Sequence, residues 1–373
     1  MDSMSFGKIN SLNIPEGSCI IVKEPEKVMK ELFIRHKQKL SVREPDSNKG
    51  TYGKLLIIAG SSGMAGAAYI SGLAAFRSGI GMVKYFAPEA NRIILQTLLP
   101  EAMYASCEGK ELSDELDWAD YVIVGPGLSK DEAAKAMVAE LFRADVVSRL
   151  HKKKLVVIDA DALNIIAEEG YDMRLLSGVG TIEEGGTKTF SNIVITPHMM
   201  EMLRLIKGAP SDITNKSISF ADSNIAGADS KDQVNADAGE INSLKVINSI
   251  PELKVNAIKA AAVFADYMGI NVILKDHETV IADKDGRVIK LSQGSGALAK
   301  AGSGDALCGF IAGISAVLKG NLTDALPIAV YLHGTAGRLA AEEKGEHSII
   351  ARDISENAGR ALIRCLDKAE EAR

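Results

Sequence analysis

A chain of 373 residues with a single tryptophan, Trp118, and only 5% aromatic side chains has little with which to stack nucleic-acid bases. Cysteine is scarce as well. Cys19, Cys107, Cys308 and Cys365 are spaced too widely for a CxxC redox pair or a zinc knuckle, and most read as buried thiols in a reducing compartment. No run reaches the roughly 18 apolar residues that a membrane helix needs. Residues 1–16 lack the basic start and apolar centre of a secretion signal, so the expected location is the cytoplasm. Positive charge is not in excess: 43 Lys and Arg stand against 49 Asp and Glu, a net charge of -6. That balance excludes a nucleic-acid groove and a membrane-seeking surface, and leaves small molecules as the expected partners. Four familiar devices are also missing: a GxxxxGK[ST] phosphate loop, a clean GxGxxG after a strand, an HExxH zinc helix and a GxSxG nucleophile turn. Any phosphate chemistry here uses another device.

What the chain does have is alternation. Apolar, β-branched runs at 54–59, 82–87, 121–124, 155–158, 192–196 and 271–275 are separated by helical patterns, notably 65–78, 131–150 and 254–268. Such alternation predicts an α/β fold with a mostly parallel central sheet covered by helices on both faces. Residues 279–291 read as a hairpin around Asp285-Gly286, followed by helices at 305–318, 324–343 and 354–369. The first 48 residues, with one helix at 26–36, are expected as an extension packed on a single domain spanning 49–373. Two stretches, 177–190 and the polar 208–249, read as loops, the second a surface insertion.

Chemistry-bearing residues collect at the ends of the apolar runs. Gly302 and Gly304 lead into an apolar helix that starts near Asp305. A helix N-terminus offers unpaired N–H groups and partial positive charge, and glycine lets the backbone approach a phosphate closely. Asp305 at that turn reads either as a helix cap or as a base facing a substrate hydroxyl. Residues 192–204 (NIVITPHMMEMLR) end a strand and open a helix with His198 and Glu201, which read as a substrate contact and an orienter of metal-bound water, or as ordinary capping. The turn in 156–164 (VVIDADALN) holds Asp159 and Asp161, suited to magnesium directly or through water, or simply solvated. VGPGLSK at 124–130 and GSSGMAGA at 60–67 complete the set. One such turn says little. Several along one chain say more, because one edge of a parallel sheet would gather them all. His333 in YLHGTAG reads as a packed core histidine, and His36, His151 and His347 as solvated.

Six segments in fixed order carry a resemblance: KGTYGKLLIIAGSSGMAGAA (49–68), VGPGLS (124–129), VVIDADALN (156–164), ITPHMMEMLRL (195–205), ILKDHETVIA (273–282) and AGSGDALCGFIAG (301–313). Together they resemble the ADP/ATP-dependent (S)-NAD(P)H-hydrate dehydratases, a branch of the ribokinase-like superfamily. The resemblance implies a ribokinase-like fold and repair of hydrated NADH and NADPH by dehydration of the S form, a lyase reaction that consumes ADP or ATP with Mg2+. It implies Asp305 as the base, with Gly304, Gly302 and Ser303 as an anion hole. Lys275, Asp276, His277, Glu278 and Thr279 would lie along the nucleotide, while Ala67, Gly127 and His198 would contact the hydrated dinucleotide. Asp159 and Glu201 would hold the metal, in part through water. A homo-oligomer, often a tetramer, and a separate hydrate epimerase are implied as partners.

Two departures stand out. Asp276 replaces the glycine that usually follows the lysine, adding negative charge beside the nucleotide, and Lys300-Ala301 replaces part of a glycine-rich stretch. Two other readings fit the same residues: a ribokinase-like kinase of a vitamin precursor or other small hydroxylated substrate, and a non-catalytic nucleotide-binding protein.

Overall fold

Six apolar runs become neighbouring strands of one sheet in a computed structural model, which describes residues 18–22, 24–178, 192–210, 213, 219–222, 244, 247–292 and 294–371. The described strands are β1 (Ser18–Val22), β2 (Lys54–Ile58), β3 (Met82–Ala87), β4 (Met103–Ser106), β5 (Tyr121–Val124), β6 (Leu155–Ile158), β7 (Ile193–Ile195), β8 (Ser219–Asp222), β9 (Asn271–Leu274), β10 (Thr279–Ala282) and β11 (Arg287–Leu291). Their order across the sheet is β4-β3-β2-β5-β6-β7-β9-β10-β11-β1-β8. Every pairing is parallel except the two made by β10. The hairpin turns where Asp285-Gly286 predicts it. Gly286 has a φ of 87° and donates its N–H to Asp283 O, while Arg287 Nε holds Asp283 Oδ2 at 2.6 Å.

The central strands are buried on both faces, and their period-two alternation divides the core. Leu55, Ile57, Ile123 and Val157 point to one side, where the helices Ala65–Arg77, Ser303–Val317 and Leu322–Lys344 pack. Leu56, Ile58, Val122 and Val156 point to the other, against Ala160–Glu169, Met199–Gly208 and Ala257–Met268.

On the first face two helices approach closely enough to need glycine. A Cβ at Gly309 would stand 2.4 Å from Ser71 O, and one at Gly313 would stand 2.5 Å from Ser78 Cβ. The contact is locked by Ser71 Oγ, which donates to Ala67 O and to Asp305 O, each at 3.0 Å. The N-terminal turn of Ser303–Val317 is thereby tied to the helix that follows β2.

Several expectations need correction. Residues 131–150 form two helices, Glu132–Glu140 and Ala144–Leu150, separated by a turn at 141–143. The last helix starts earlier than expected and breaks at Asn357 into Ala351–Glu356 and Ala358–Glu371. Strands β4, β1 and β8 were not expected; β4 and β8 lie at the sheet edges, and β1 lies between β8 and β11. The Pro25–Ser41 helix presents Val28, Met29, Leu32 and Phe33 to the first core. His36 on that helix is buried rather than solvated, because its Nε2 meets the buried Asp324 carboxylate at 2.7 Å. The loops expected at 177–190 and 208–249 lie largely outside the described residues. Among the described residues no helix is long and apolar enough to cross a membrane.

Gly309→Ala is expected to destabilise the fold by about 1–3 kcal/mol, the usual range for overpacking. Gly359→Ala, in an exposed helical position with nothing within 4 Å of the added Cβ, is expected to be neutral or to stabilise by roughly 0.5–1 kcal/mol. Urea midpoints of the two variants measured side by side check the contrast, and equal midpoints would remove the helix contact from the argument.

Candidate active site

Parallel strands deliver their carboxyl ends to one edge, and the turns there interlock. Gly60 N donates to Pro126 O at 2.9 Å and Ser61 N to Gly127 O at 2.6 Å. Gly125, with φ at 121°, lies so close to the next turn that a Cβ would sit 1.8 Å from Asp159 O. A Cβ on Gly127 would fall 2.8 Å from Ala67 Cβ, so these two residues are in direct contact. Ser129 N donates to Asp161 Oδ2 at 2.8 Å, which removes Asp161 from the solvated reading.

The strands β6, β7 and β9 end side by side in Asp159, Thr196 and Lys275. Asp159 and Lys275 form a salt bridge of 2.7 Å whose side chains are 2% and 21% exposed. Cys308 Sγ donates to the other carboxylate oxygen at 3.3 Å. Burial works against charge on Asp159, but the Lys275 ammonium and the hydrogen bonds to the carboxylate outweigh it and hold its titration below the usual carboxylate range. Burial likewise opposes the charge on Lys275, and the Asp159 and Glu201 carboxylates overcome it, raising the ammonium's titration. Both groups stay charged. His198 and Glu201 form a reciprocal cap: His198 Nδ1 accepts from Met200 N and Glu201 N, and Glu201 Oε2 accepts from His198 N at 2.8 Å. Burial first, then nearby Lys275, lowers the titration of His198, so the ring is neutral with its proton on Nε2.

Asp305 sits differently. The Ser303–Val317 helix is capped by Gly302, at a φ of 88°, with no side-chain cap bond. Asp305 therefore occupies the first turn without capping it, and its carboxylate accepts no hydrogen bond from a described residue. Burial, then the negative charge of Asp159, pushes its titration up to about 6, against a smaller pull from Lys275. Lys275 Nζ reaches the same turn, lying 3.2 Å from where a Cβ on Gly304 would be. A poised carboxylate, an ammonium and the open N–H groups of a helix start thus face one space.

That space is a cavity of about 710 Å³. It is lined by Asp305, Gly304 and Ser303, by Lys275, Asp276, His277 and Thr279, and by Asp159, His198 and Glu201. Four other candidates stand outside its lining. Gly302 turns the chain, and a Cβ there would meet Ile70 Cδ1 at 2.7 Å. Glu278 is engaged by Ser292 Oγ at 3.0 Å and by Lys290 Nζ at 2.5 Å. Ala67 and Gly127 pack on each other along the adjoining turns. Asp276, expected to add negative charge beside the nucleotide, pairs with Lys254 at 3.2 Å. Lys300 Nζ donates to His347 O at 2.8 Å. For the metal, Asp159 has both oxygens engaged and Glu201 is held by its cap. Among the described residues no group of three or more His, Cys, Asp or Glu is arranged as a preformed cage.

Sequence reasoning missed two members of the site. His333 is a buried histidine as expected, yet it also lines the cavity, with Nε2 3.4 Å from Ser303 Oγ and its titration lowered by burial to about 4. Cys308 was read only as a buried thiol. Its spacing of three from Asp305 places it one helical turn further in, a signal available from the sequence.

The fold and this edge define a ribokinase-like α/β protein. The solved structure of a ribokinase-like superfamily protein from Enterococcus faecalis superposes with a TM-score of 0.64 at 21% identity, covering 94% of this chain and 97% of that one. That of the ADP/ATP-dependent NAD(P)H-hydrate dehydratase from Bacillus subtilis, co-crystallized with ATP/Mg2+, superposes at 0.62 with 24% identity, covering 95% of this chain and 99% of the other. The family model for NAD(P)H-hydrate dehydratase matches residues 55–229 and 237–360, and the chain belongs to that family. Among curated relatives, the ADP-dependent (S)-NAD(P)H-hydrate dehydratase of Bacillus subtilis is 30% identical, over 85% of this chain and 91% of its own length. The bifunctional NAD(P)H-hydrate repair enzyme of Moorella thermoacetica is also 30% identical over 85% of this chain, but the match spans only 51% of that protein.

The raised titration of Asp305 fixes a sign. Between about pH 4 and pH 6 the folded chain binds more protons at this carboxyl than the unfolded chain does, so stability falls as pH rises through that window. The loss, of roughly 3 kcal/mol at most for a two-unit shift, is complete above the folded value. Asp305→Asn is therefore expected to unfold at higher denaturant than the parent at pH 8, with the advantage shrinking towards pH 4. Denaturation curves at the two pH values decide it; an Asn variant less stable at pH 8 would show that the carboxylate is supported by contacts not described above.

Proposed function

We propose that this chain dehydrates the S form of hydrated NADH and NADPH, using ADP or ATP as phosphoryl donor, with Asp305 as the base. The observation that carries the reading is the unbonded, half-buried Asp305 carboxylate in the first turn of a helix that opens on a cavity shared with Lys275. Family membership and the ADP-dependent relative support the choice of reaction and donor.

The hydrate carries a hydroxyl at C6 of a reduced pyridine ring, and hydroxide leaves poorly. Asp305 removes the hydroxyl proton as that oxygen attacks the donor's terminal phosphorus, and the bond to the bridging oxygen of the nucleotide breaks. The open N–H groups of Gly304 and Asp305 and the Lys275 ammonium stabilise charge on the phosphoryl oxygens without reorganising. The C6–O bond then breaks with the electrons of the ring nitrogen behind it, C5 releases a proton to water, and the dihydropyridine returns. The products are the reduced dinucleotide, inorganic phosphate and a nucleotide one phosphate shorter. Asp305 retains its reactivity because burial and Asp159 keep its titration close to neutral, where a base is most useful. Asp276 and His277, in the cavity lining, would meet the nucleotide, and Ala67 and Gly127, on the turns adjoining the cavity, would meet the dinucleotide.

Magnesium is part of the proposal. Asp159 and Glu201 face the cavity as oxygen donors of the kind it prefers, and with their atoms already engaged they would hold it through its water shell and the nucleotide phosphates. Bound there, it supplies charge neutralisation of the phosphates. The reaction belongs with soluble substrates in the cytoplasm as part of this proposal, with a hydrate epimerase as functional partner. Assembly into a homo-oligomer is supported by Ile93, Ile94 and Leu98, 79%, 48% and 41% exposed on a helix beside the edge strand β4.

Incubation of the chain with hydrated NADH and either ADP or ATP is expected to restore the absorbance of the dihydropyridine ring, with one phosphate released per ring restored. Nucleotide consumption without ring recovery would point instead to a kinase. Asp305→Asn is expected to lower turnover by about 10²–10⁴-fold, the contribution typical of a positioned base. Nucleotide affinity, read by calorimetry, is expected to stay within about threefold because Asn keeps the helix start intact. Turnover like the parent's would take Asp305 out of the chemistry.

A further inference from the structure

A second cavity, of about 270 Å³, lies at the other end of the Ser303–Val317 helix. At 1.5 Å per residue, Val317 is roughly 18 Å along the axis from Asp305, so this hollow is separate from the one described above. Its interior is apolar, formed by Phe76, Phe310, Ile314, Val317, Leu332 and Leu362. Its rim carries Lys39, Arg43 and Arg77, all exposed, and no acidic side chain lines it. None of these three cations forms an ion pair with a described residue. Arg43 is held over the mouth by its bond from Nη2 to Gly79 O at 3.2 Å and by the Tyr52 ring, whose centroid is 4.2 Å away. Ser78, also in the lining and only 8% exposed, has a hydroxyl with no hydrogen-bond partner among the described residues.

Helix ends account for part of this charge. Lys39 and Arg77 stand in the last turns of Pro25–Ser41 and Ala65–Arg77, where a cation complements the negative end of the helix. Arg43 lies beyond both helices, where the Gly79 carbonyl and the Tyr52 ring hold it but no carboxylate meets its charge. Three like charges around an apolar hollow, in a chain of net charge -6, repel one another, and no acidic side chain in the lining offsets them.

We propose that this cavity binds a small amphipathic anion, a short acyl chain ending in a carboxylate. The apolar body fills the hollow, and the head group sits among Lys39, Arg43 and Arg77. Its volume falls just below the ~300 Å³ at which drug-sized pockets begin, which favours a short chain. The inference does not depend on the reaction proposed above, and its test uses no turnover.

Calorimetric titration of the full chain with octanoate is the test, with acetate, octanol and octylamine as controls. Octanoate is expected to bind at one site. Acetate, lacking the apolar body, and octylamine, carrying the wrong charge, are expected to give no saturable heat, and octanol is expected to bind at least tenfold more weakly. Lys39→Glu and Arg77→Glu alter exposed side chains with no described bonds, and each is expected to weaken octanoate at least tenfold while lowering the melting temperature of the free protein by no more than a few degrees, from the lost helix-end charge. No saturable heat with millimolar octanoate overturns the proposal, as does octylamine binding equally well. Octanoate affinity indifferent to both charge reversals overturns it too, since that outcome would place the ligand elsewhere on the molecule.

Discussion

The site depends on how closely two helices can lie. Ser303–Val317 and Ala65–Arg77 follow different parts of the chain, yet Gly309 and Gly313 let their backbones approach to distances that any side chain would forbid. At that separation Ser71 Oγ reaches Asp305 O, and the turn holding the carboxylate is fixed to the turn holding Ala67. The proposed binding turn and the proposed base are therefore set by backbone contact rather than by long side chains. Side chains of several rotors would leave the geometry loose, whereas positioned catalytic groups tolerate only small displacements.

The second constraint is electrostatic. A buried Lys–Asp pair seldom adds net stability, because two desolvation costs oppose one attraction. Its worth here is positional. Asp159 holds the Lys275 ammonium against Gly304, beside the open N–H groups of the helix start, and keeps it charged despite burial. The same carboxylate pushes the titration of Asp305 upward. One pair thus leaves positive charge where phosphate oxygens would lie and makes the neighbouring carboxylate basic. Those are opposite requirements, met within one turn of helix.

Much of this was legible in sequence because parallel strands write themselves plainly. Runs such as YVIV and LVVI are buried on both faces, so their boundaries match the strands, and the gathering of glycine turns at one edge follows from parallel order alone. Edge and short strands such as MYAS were not legible, since a half-exposed four-residue run has neither a continuous apolar stretch nor clear alternation. His36 was misread for a related reason. Its sequence neighbours are charged, but burial is decided by which helical face meets the core, and its partner Asp324 lies far along the chain. Pairings at such distances, including Asp276 with Lys254 and Lys300 with the His347 carbonyl, leave no local signal.

Those last two pairings bear on the departures from the family pattern. An acid after Lys275, when only the sequence is considered, sets negative charge beside a nucleotide and would alter its affinity or the choice of donor. In the fold its charge is met by Lys254, on the short helix Ile250–Val255 that follows the polar 208–249 stretch. Likewise Lys300 spends its ammonium on a backbone carbonyl and acts as a strut for the turn before the helix start. Each departure is a local charge with a local answer, and neither touches the glycine contact or the Lys275–Asp159 pair. A substitution at the rim can therefore alter local charge while the arrangement that raises the titration of Asp305 stays as it is.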